Sequence, residues 1–309
     1  MKITLKRFEY REYAPVAILA LLLGVAYFTV AGFDRPQIYL NILKNASYSG
    51  MMALGLLFVL ICGDIDLSIG AQMSFYGVLF GLIVSKGGGI PLAAAATLAA
   101  AAALGAAQGV LVGRYRINSM IATIATSVTL SGLTYILAGG QPIFDLPTLP
   151  VRAPVRLLGI SLPALIWILV AVLAALVLRQ TYWGKFFYAV GCNVTAAERA
   201  GVPAERTKMV AFSLCSLCCG ICAVVYISQL GFSPLEAGQE STNSVLTIAA
   251  LSGVSFSGGR GRVIPILCAT LLMSALTSVF IVLRVPTYYQ NCIKGVIIFA
   301  ALITKIEKR

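Results

Sequence analysis

Stretches of about 20 apolar residues without a single charge recur along this chain, and nothing constrains its fold more. One covers 14–33; others cover 90–113, 160–178, 209–230 and 263–283. A hydrocarbon core of about 30 Å takes about 20 helical residues to cross. Inside it every backbone N–H and C=O must be bonded within the segment or in a closed barrel. Barrel strands alternate polar and apolar residues, and these runs do not. Only 11% of the 309 residues are charged, against about 25% in soluble domains, too few to keep a chain of this hydrophobicity dissolved. The expected fold is an all-α integral membrane protein, a polytopic helical bundle.

Ten candidate spans can be marked: 14–33, 46–62, 67–85, 90–113, 118–138, 160–178, 208–230, 245–257, 263–283 and 291–304. Lys and Arg gather in cytoplasmic loops. With the N-terminus inside, sixteen of them fall on the cytoplasmic side and six on the other, with Lys294 inside a span. That asymmetry supports ten transmembrane helices with both termini cytoplasmic. The formal charge of +12 is therefore read as topology. The basic residues form no stripe or tail, and nucleic acid is not an expected partner. Lys2, Lys6, Arg7 and Arg11 precede the first run as in a signal peptide, but that run is longer than a usual signal core, so a retained first span is expected.

Cys215, Cys218, Cys219 and Cys222 form two overlapping C-x-x-C patterns, a spacing that can hold a metal or a redox pair. The chain has no His, and these positions lie within an apolar run. Helix packing by small polarizable side chains is the expected role, with no metal. No connection is long enough for a soluble domain, and the phosphate-cradling G-x-x-x-x-G-K-[ST] pattern is missing. Neither ATP nor another cofactor is expected on this chain, and the lack of clustered nucleophile, base or metal ligands argues against an enzyme.

Three local motifs stand out. In the longest cytoplasmic loop, 179–207, Thr195 and Glu198 have the spacing of a capping box around Ala196, Ala197 and Arg199, with Gly201 as a left-handed stop and Pro203 beyond it. Such a short helix must be held by contacts: either a partner grips it or it lies on the membrane surface. Between the second and third spans stands Gly63-Asp64-Ile65-Asp66-Leu67-Ser68-Ile69-Gly70. Two carboxylates at the edge of apolar segments must be solvated, paired or used: either for a proton or cation, or in a capped re-entrant turn with Asp66 offered to the N–H of Ser68 or Ile69. A comparable glycine-rich turn, Ser257-Gly258-Gly259-Arg260-Gly261, follows the short eighth segment. In the fifth span Ser119, Thr123 and Thr126 make a mild polar stripe, either lining a solute path or bonded back to their own helix.

These motifs resemble those of the permease subunits of bacterial ABC importers for monosaccharides, of the ribose, galactose, xylose and autoinducer-2 type. The stretch from Gly63 to Gly70 is similar to that family's G-G-I-D-L-S-V-G signature. Ala189-Val190-Gly191-Cys192-Asn193 with Ala196, Ala197 and Gly201 is similar to its G-G-N-x-x-A-A-x-x-x-G loop, and Ile248-Ala249-Ala250 leading to Ser257–Gly261 to its third landmark. Asp64 and Cys192 depart from the pattern, each standing where the family usually has Gly. The resemblance implies one transmembrane permease domain over 1–309 in the bacterial cytoplasmic (inner) membrane, with Thr195 to Gly201 as the coupling helix. It also implies three partners: a separate ABC ATPase, an extracytoplasmic sugar-binding protein, and a second permease chain, identical or related. The competing class is a self-sufficient secondary transporter or channel in which Asp64 and Asp66 handle a coupling ion.

Overall fold

A computed structural model describes residues 35–146, 160–239 and 241–306, with isolated positions before 35. The expected first span, 14–33, lies largely outside the described residues. The remainder is helical: α1 Pro36–Ile61, α2 Ile69–Ser85, α3 Ile90–Gly113, α4 Ser119–Ala138, α5 Leu162–Gln180, α6 Tyr182–Cys192, α7 Val194–Arg199, α8 Ala204–Leu230, α9 Ser241–Leu251, α10 Val263–Val282 and α11 Thr287–Ile306. Six of these, α1, α3, α4, α5, α8 and α10, are long and apolar enough to cross a membrane.

The second expected span was too short at 46–62. The helix opens ten residues earlier at Pro36, where a fixed φ and a missing N–H cost a first turn nothing. From Met51 to Ile61 every residue of α1 is buried. A helix apolar on all sides belongs in the middle of a bundle, and α1 is that centre.

Small residues set how closely the others approach. A Cβ on Gly55 of α1 would lie 2.9 Å from Cys215 O and 2.8 Å from Cys218 Cβ of α8. The four cysteines of α8 are all buried, and the Cys222 thiol donates to Tyr48 O at 3.3 Å, so they pack helix against helix. On the other flank of α8, Gly105, Gly109 and Gly113 of α3 follow one another at i, i+4, i+8. Cβ atoms there would fall 2.6 Å from Ser213 Cα, 2.3 Å from Met209 Cα and 2.9 Å from Glu205 O. This is the small-x-x-x-small device that lets two membrane helices touch backbone to backbone.

Two stretches interrupt the helical order. Residues 62–68 climb without helix from the end of α1 to the start of α2. Residues 231–239 run irregularly beyond the end of α8, tied by the Ile143–Ser233 bridge. Of the eighth expected span, 245–257, only the first part is helix: α9 covers Ser241–Leu251, about 16 Å of rise. The two breaks meet where Gly238 passes α2. A Cβ on Gly238 would lie 2.1 Å from Gly70 O, and the Gly70 N–H is taken by Thr242 Oγ1 at 3.1 Å.

Replacing Gly109 by Val should prevent recovery of monodisperse protein, because α3 and α8 would have to part. Gly132→Ala, on α4 with nothing within 4 Å of its Cβ, should leave the size-exclusion profile unchanged. Equal recovery of both variants would refute the close-packed seam.

Candidate functional site

Positions nearly 200 residues apart in sequence come together at one end of the bundle. Gly259 N–H donates to Ile61 O at 2.9 Å. A Cβ on Gly191 of α6 would run into Ile61 O and lie 2.5 Å from Gly259 N; one on Gly258 would lie 2.6 Å from Gly191 O and 2.8 Å from Gly63 Cα. Gly63, Gly258 and Gly259 have φ of +84°, +85° and +73°, a left-handed backbone that side chains resist. Tyr188 clamps the assembly by donating to Gly261 O at 2.6 Å. All three glycine motifs thus form one backbone-to-backbone knot. Cys192 is exposed, and a Cβ on Gly259 would lie 2.7 Å from its sulfur.

From this knot projects α7. Its cap is Asn193, whose Oδ1 accepts the Ala196 N–H at 2.9 Å. This corrects the expected capping box: Thr195 lies inside the helix. Asn193 is a better cap because its backbone is extended where α6 ends, so it can face the next helix. Glu198 points instead to Arg116 on the α3–α4 link, 3.5 Å away and exposed, a contact worth little. Gly201 has φ +84° and ends the turn. Only Ala197 of α7 is buried, against Val190 and Ala204. Thr195, Ala196, Glu198 and Arg199 are exposed, so α7 is a knob standing on one small residue.

A family model described as "Branched-chain amino acid transport system / permease component" matches residues 38–302. The chain belongs to that permease family. It is 31% identical to the autoinducer 2 import system permease protein LsrC of Escherichia coli (strain K12 / DH10B), over 93% of this chain and 85% of the relative. It is 29% identical to the ribose import permease protein RbsC of Escherichia coli (strain K12), over 98% of this chain and 96% of the relative. No solved structure matches it. The resemblance read from the motifs is therefore borne out.

In this permease the two acids of the signature turn have different tasks. Asp64 Oδ2 lies 2.9 Å from Lys208 Nζ, their side chains 9% and 16% exposed. Burial pushes the Asp64 carboxyl above its ordinary range, while the Lys208 charge pulls it down. The pair forms part of the wall of a cavity of about 500 Å³ that also meets Arg116, Asn118, Ser119 and Glu198. Asp66 is wholly buried. Its Oδ1 accepts the Ser68 N–H at 2.8 Å and the Ser68 hydroxyl at 2.6 Å, and its Oδ2 accepts Gln72 Nε2 at 3.0 Å. Gln108 of α3 donates to Ser68 Oγ at 2.8 Å. Helix α2 begins at Ile69, two residues later than expected, and Asp66 bonds the Ser68 N–H just ahead of it.

Ser119 and Thr123 face the same turn. Ser119 Oγ accepts the Ile65 N–H at 3.3 Å and Thr123 Oγ1 the Leu67 N–H at 3.1 Å, supplying partners that the helix-free backbone of 62–68 lacks. Thr126 bonds back to Ala122 O at 2.9 Å. Gln72, Gln108 and Lys208 were not singled out from sequence. The signal was there for the glutamines, since a lone amide in an otherwise apolar span must find a buried partner.

Thr123→Val should lower thermal stability by about 1–3 kcal/mol, the cost of a buried donor left unpaired, whereas Thr126→Val should be near neutral; equal melting shifts would refute the assignment. Lys208→Met should cost about 3–5 kcal/mol by stranding a buried carboxylate, and adding Asp64→Gly should recover most of it. Differential scanning fluorimetry in detergent reads both, and a double variant no better than Lys208→Met would show that the pair is not coupled.

Proposed function

We propose that this chain is the membrane-spanning subunit of an ATP-binding-cassette importer, carrying a sugar or similar small polar solute into the cytoplasm. In this reading it makes ten spans of one permease domain in the bacterial cytoplasmic (inner) membrane, both termini inside. The loop 179–207 faces the cytoplasm and α7 is the coupling helix. One observation carries the reading: a six-residue helix, too short to be stable alone, is capped at both ends and held out from a rigid glycine knot with nearly all its side chains exposed. Such a knob suits a partner that pushes on it.

The partners follow from what the chain lacks and what its relatives do. An ABC ATPase would seat Thr195, Ala196, Glu198 and Arg199, and its closure would move α7. That movement shifts the bundle between two access states because the ATPase contacts them differently. An extracytoplasmic sugar-binding protein would deliver solute, and a second permease chain, identical or related, would complete the passage. The names of the relatives, an autoinducer 2 permease and a ribose permease, favour a hydroxylated solute over the amino acid in the family description.

The secondary-transporter reading needs Asp64 or Asp66 free to take an ion. Asp64 is engaged by Lys208, and both oxygens of Asp66 already accept hydrogen bonds. The structure therefore favours the ATP-driven class.

Glu198→Arg and Gly201→Pro should each abolish ATP-driven uptake in proteoliposomes while leaving membrane insertion intact. Gly201→Pro removes both the left-handed φ and the N–H that donates to Glu198 O at 3.0 Å. Affinity purification of the tagged wild-type chain should bring down an ATPase. Normal uptake in both variants would remove the coupling assignment, and transport by the chain without nucleotide would remove the class.

A further inference from the structure

The break at 231–239 places an exposed carboxylate beside α4. Ser233 packs on Gly81 of α2, its Cβ 3.0 Å from where a Cβ on Gly81 would stand. The Gly238 N–H donates to Ser74 Oγ at 2.9 Å. Glu236 lies between them in sequence. Its backbone is thus bracketed between residues 74 and 81 of α2, roughly 6–17 Å along the helix from its Ser85 end.

Glu236 is exposed, and so is its partner: Tyr135 of α4, 42% exposed, donates its phenol O–H to Glu236 Oε1 at 2.6 Å. Tyr135 stands three residues before the Ala138 end of α4, and an exposed carboxylate held there needs water beside it. Ser131 lies one helical turn before Tyr135 and is also exposed, as are Gln239 and Asn243 on the broken span. Close by in sequence, Phe144 and Phe232 flank the Ile143–Ser233 bridge with rings stacked at 5.8 Å and 18°.

We propose that Glu236 and Tyr135 form a recognition site for an uncharged polyhydroxylated solute of pentose or hexose size, in a passage between α4 and the break at 231–239. The proposal rests on the importer reading above. The Tyr135 bond occupies one lone pair of Glu236 Oε1, leaving Oε2 and the phenol oxygen as acceptors for the hydroxyl donors of a sugar. A carboxylate here repels an anionic solute. The stacked phenylalanines offer an apolar face for the C–H side of a sugar ring.

Two measurements on the full chain, assembled with its ATPase and binding protein, test this. In a Cys192→Ser/Cys292→Ser background, Glu236→Cys should react with methanethiosulfonate ethylsulfonate, a small membrane-impermeant thiol reagent. Leu169→Cys, at a position 57% exposed on the apolar face of α5, should not. Labelling of Leu169→Cys alone, or of neither, would overturn the aqueous passage. For whichever of D-ribose, D-galactose and D-xylose the wild-type complex carries, Glu236→Gln and Tyr135→Phe should raise the KM for uptake at least tenfold. An unchanged KM in both variants would overturn the recognition role even if Glu236→Cys is labelled. ATP-driven uptake of none of the three sugars by the wild-type complex would overturn the sugar specificity, and wild-type uptake without ATP would count against the importer reading instead. Labelling still decides the passage in either case.

Discussion

Every unpaired backbone group that this chain carries into the membrane has to find a partner made of protein, and the architecture is organised around the two places where helices do not supply one. In 62–68 the partners come from α4, through Ser119 and Thr123, and from the Asp66 carboxylate. In 231–239 they come from Ser74, and from Ile143 across the two-residue bridge. A buried backbone group left without a partner costs about 1–3 kcal/mol. Polar side chains on neighbouring helices are therefore as necessary to the fold as its apolar packing.

The glycines follow from the same constraint. Where broken segments replace helices, backbones come nearer to each other than side chains allow. Gly191 and Gly258 are interleaved with carbonyl and amide groups at distances a Cβ would violate, and Gly63 joins them through its left-handed backbone. Their motifs, far apart in sequence, are thus parts of a single contact. Cys192 fits because it points outward at the edge of this contact, exposed, while its neighbour Gly191 takes the crowded place. Asp64 fits for a different reason: Lys208 stands where a buried carboxylate needs it.

The long spans were legible because apolar runs of 20 residues admit one solution in lipid. Helices α3 and α4 begin and end within a residue of their expected bounds. The failures come from local patterns that hydropathy does not record. Helix α6, buried through Phe187 and Val190, was hidden in a loop counted by its charges. The α7 cap went to Asn193 because the capping-box spacing names a position but not the chain direction entering it. The stripe Ser119–Thr123–Thr126 was visible; the direction in which Ser119 and Thr123 spend their hydroxyls depends on a turn more than fifty residues away. The partnership of Asp64 with Lys208 spans 144 positions, and no single-sequence pattern reports such a pair.

Spatial contiguity alone is not coupling, yet the connection between α7 and the second break has little slack. Helix α7 passes through Gly201 and Pro203 directly into α8, whose Lys208 holds the turn carrying Asp64. That turn leads into α2, and α2 crosses the second break at Gly70 and Gly238 with no room for a single methyl group. A packed contact of this kind responds to displacement by moving as a body, since interiors at crystal-like density deform little. A push at α7 that moves the first break must carry Gly238 with it, and Glu236 lies two residues away on the same strand of chain. In the proposed importer, the site where solute is held and the knob where an ATPase presses are then opposite ends of one stiff linkage. Its weakest joint is the buried ion pair between Asp64 and Lys208.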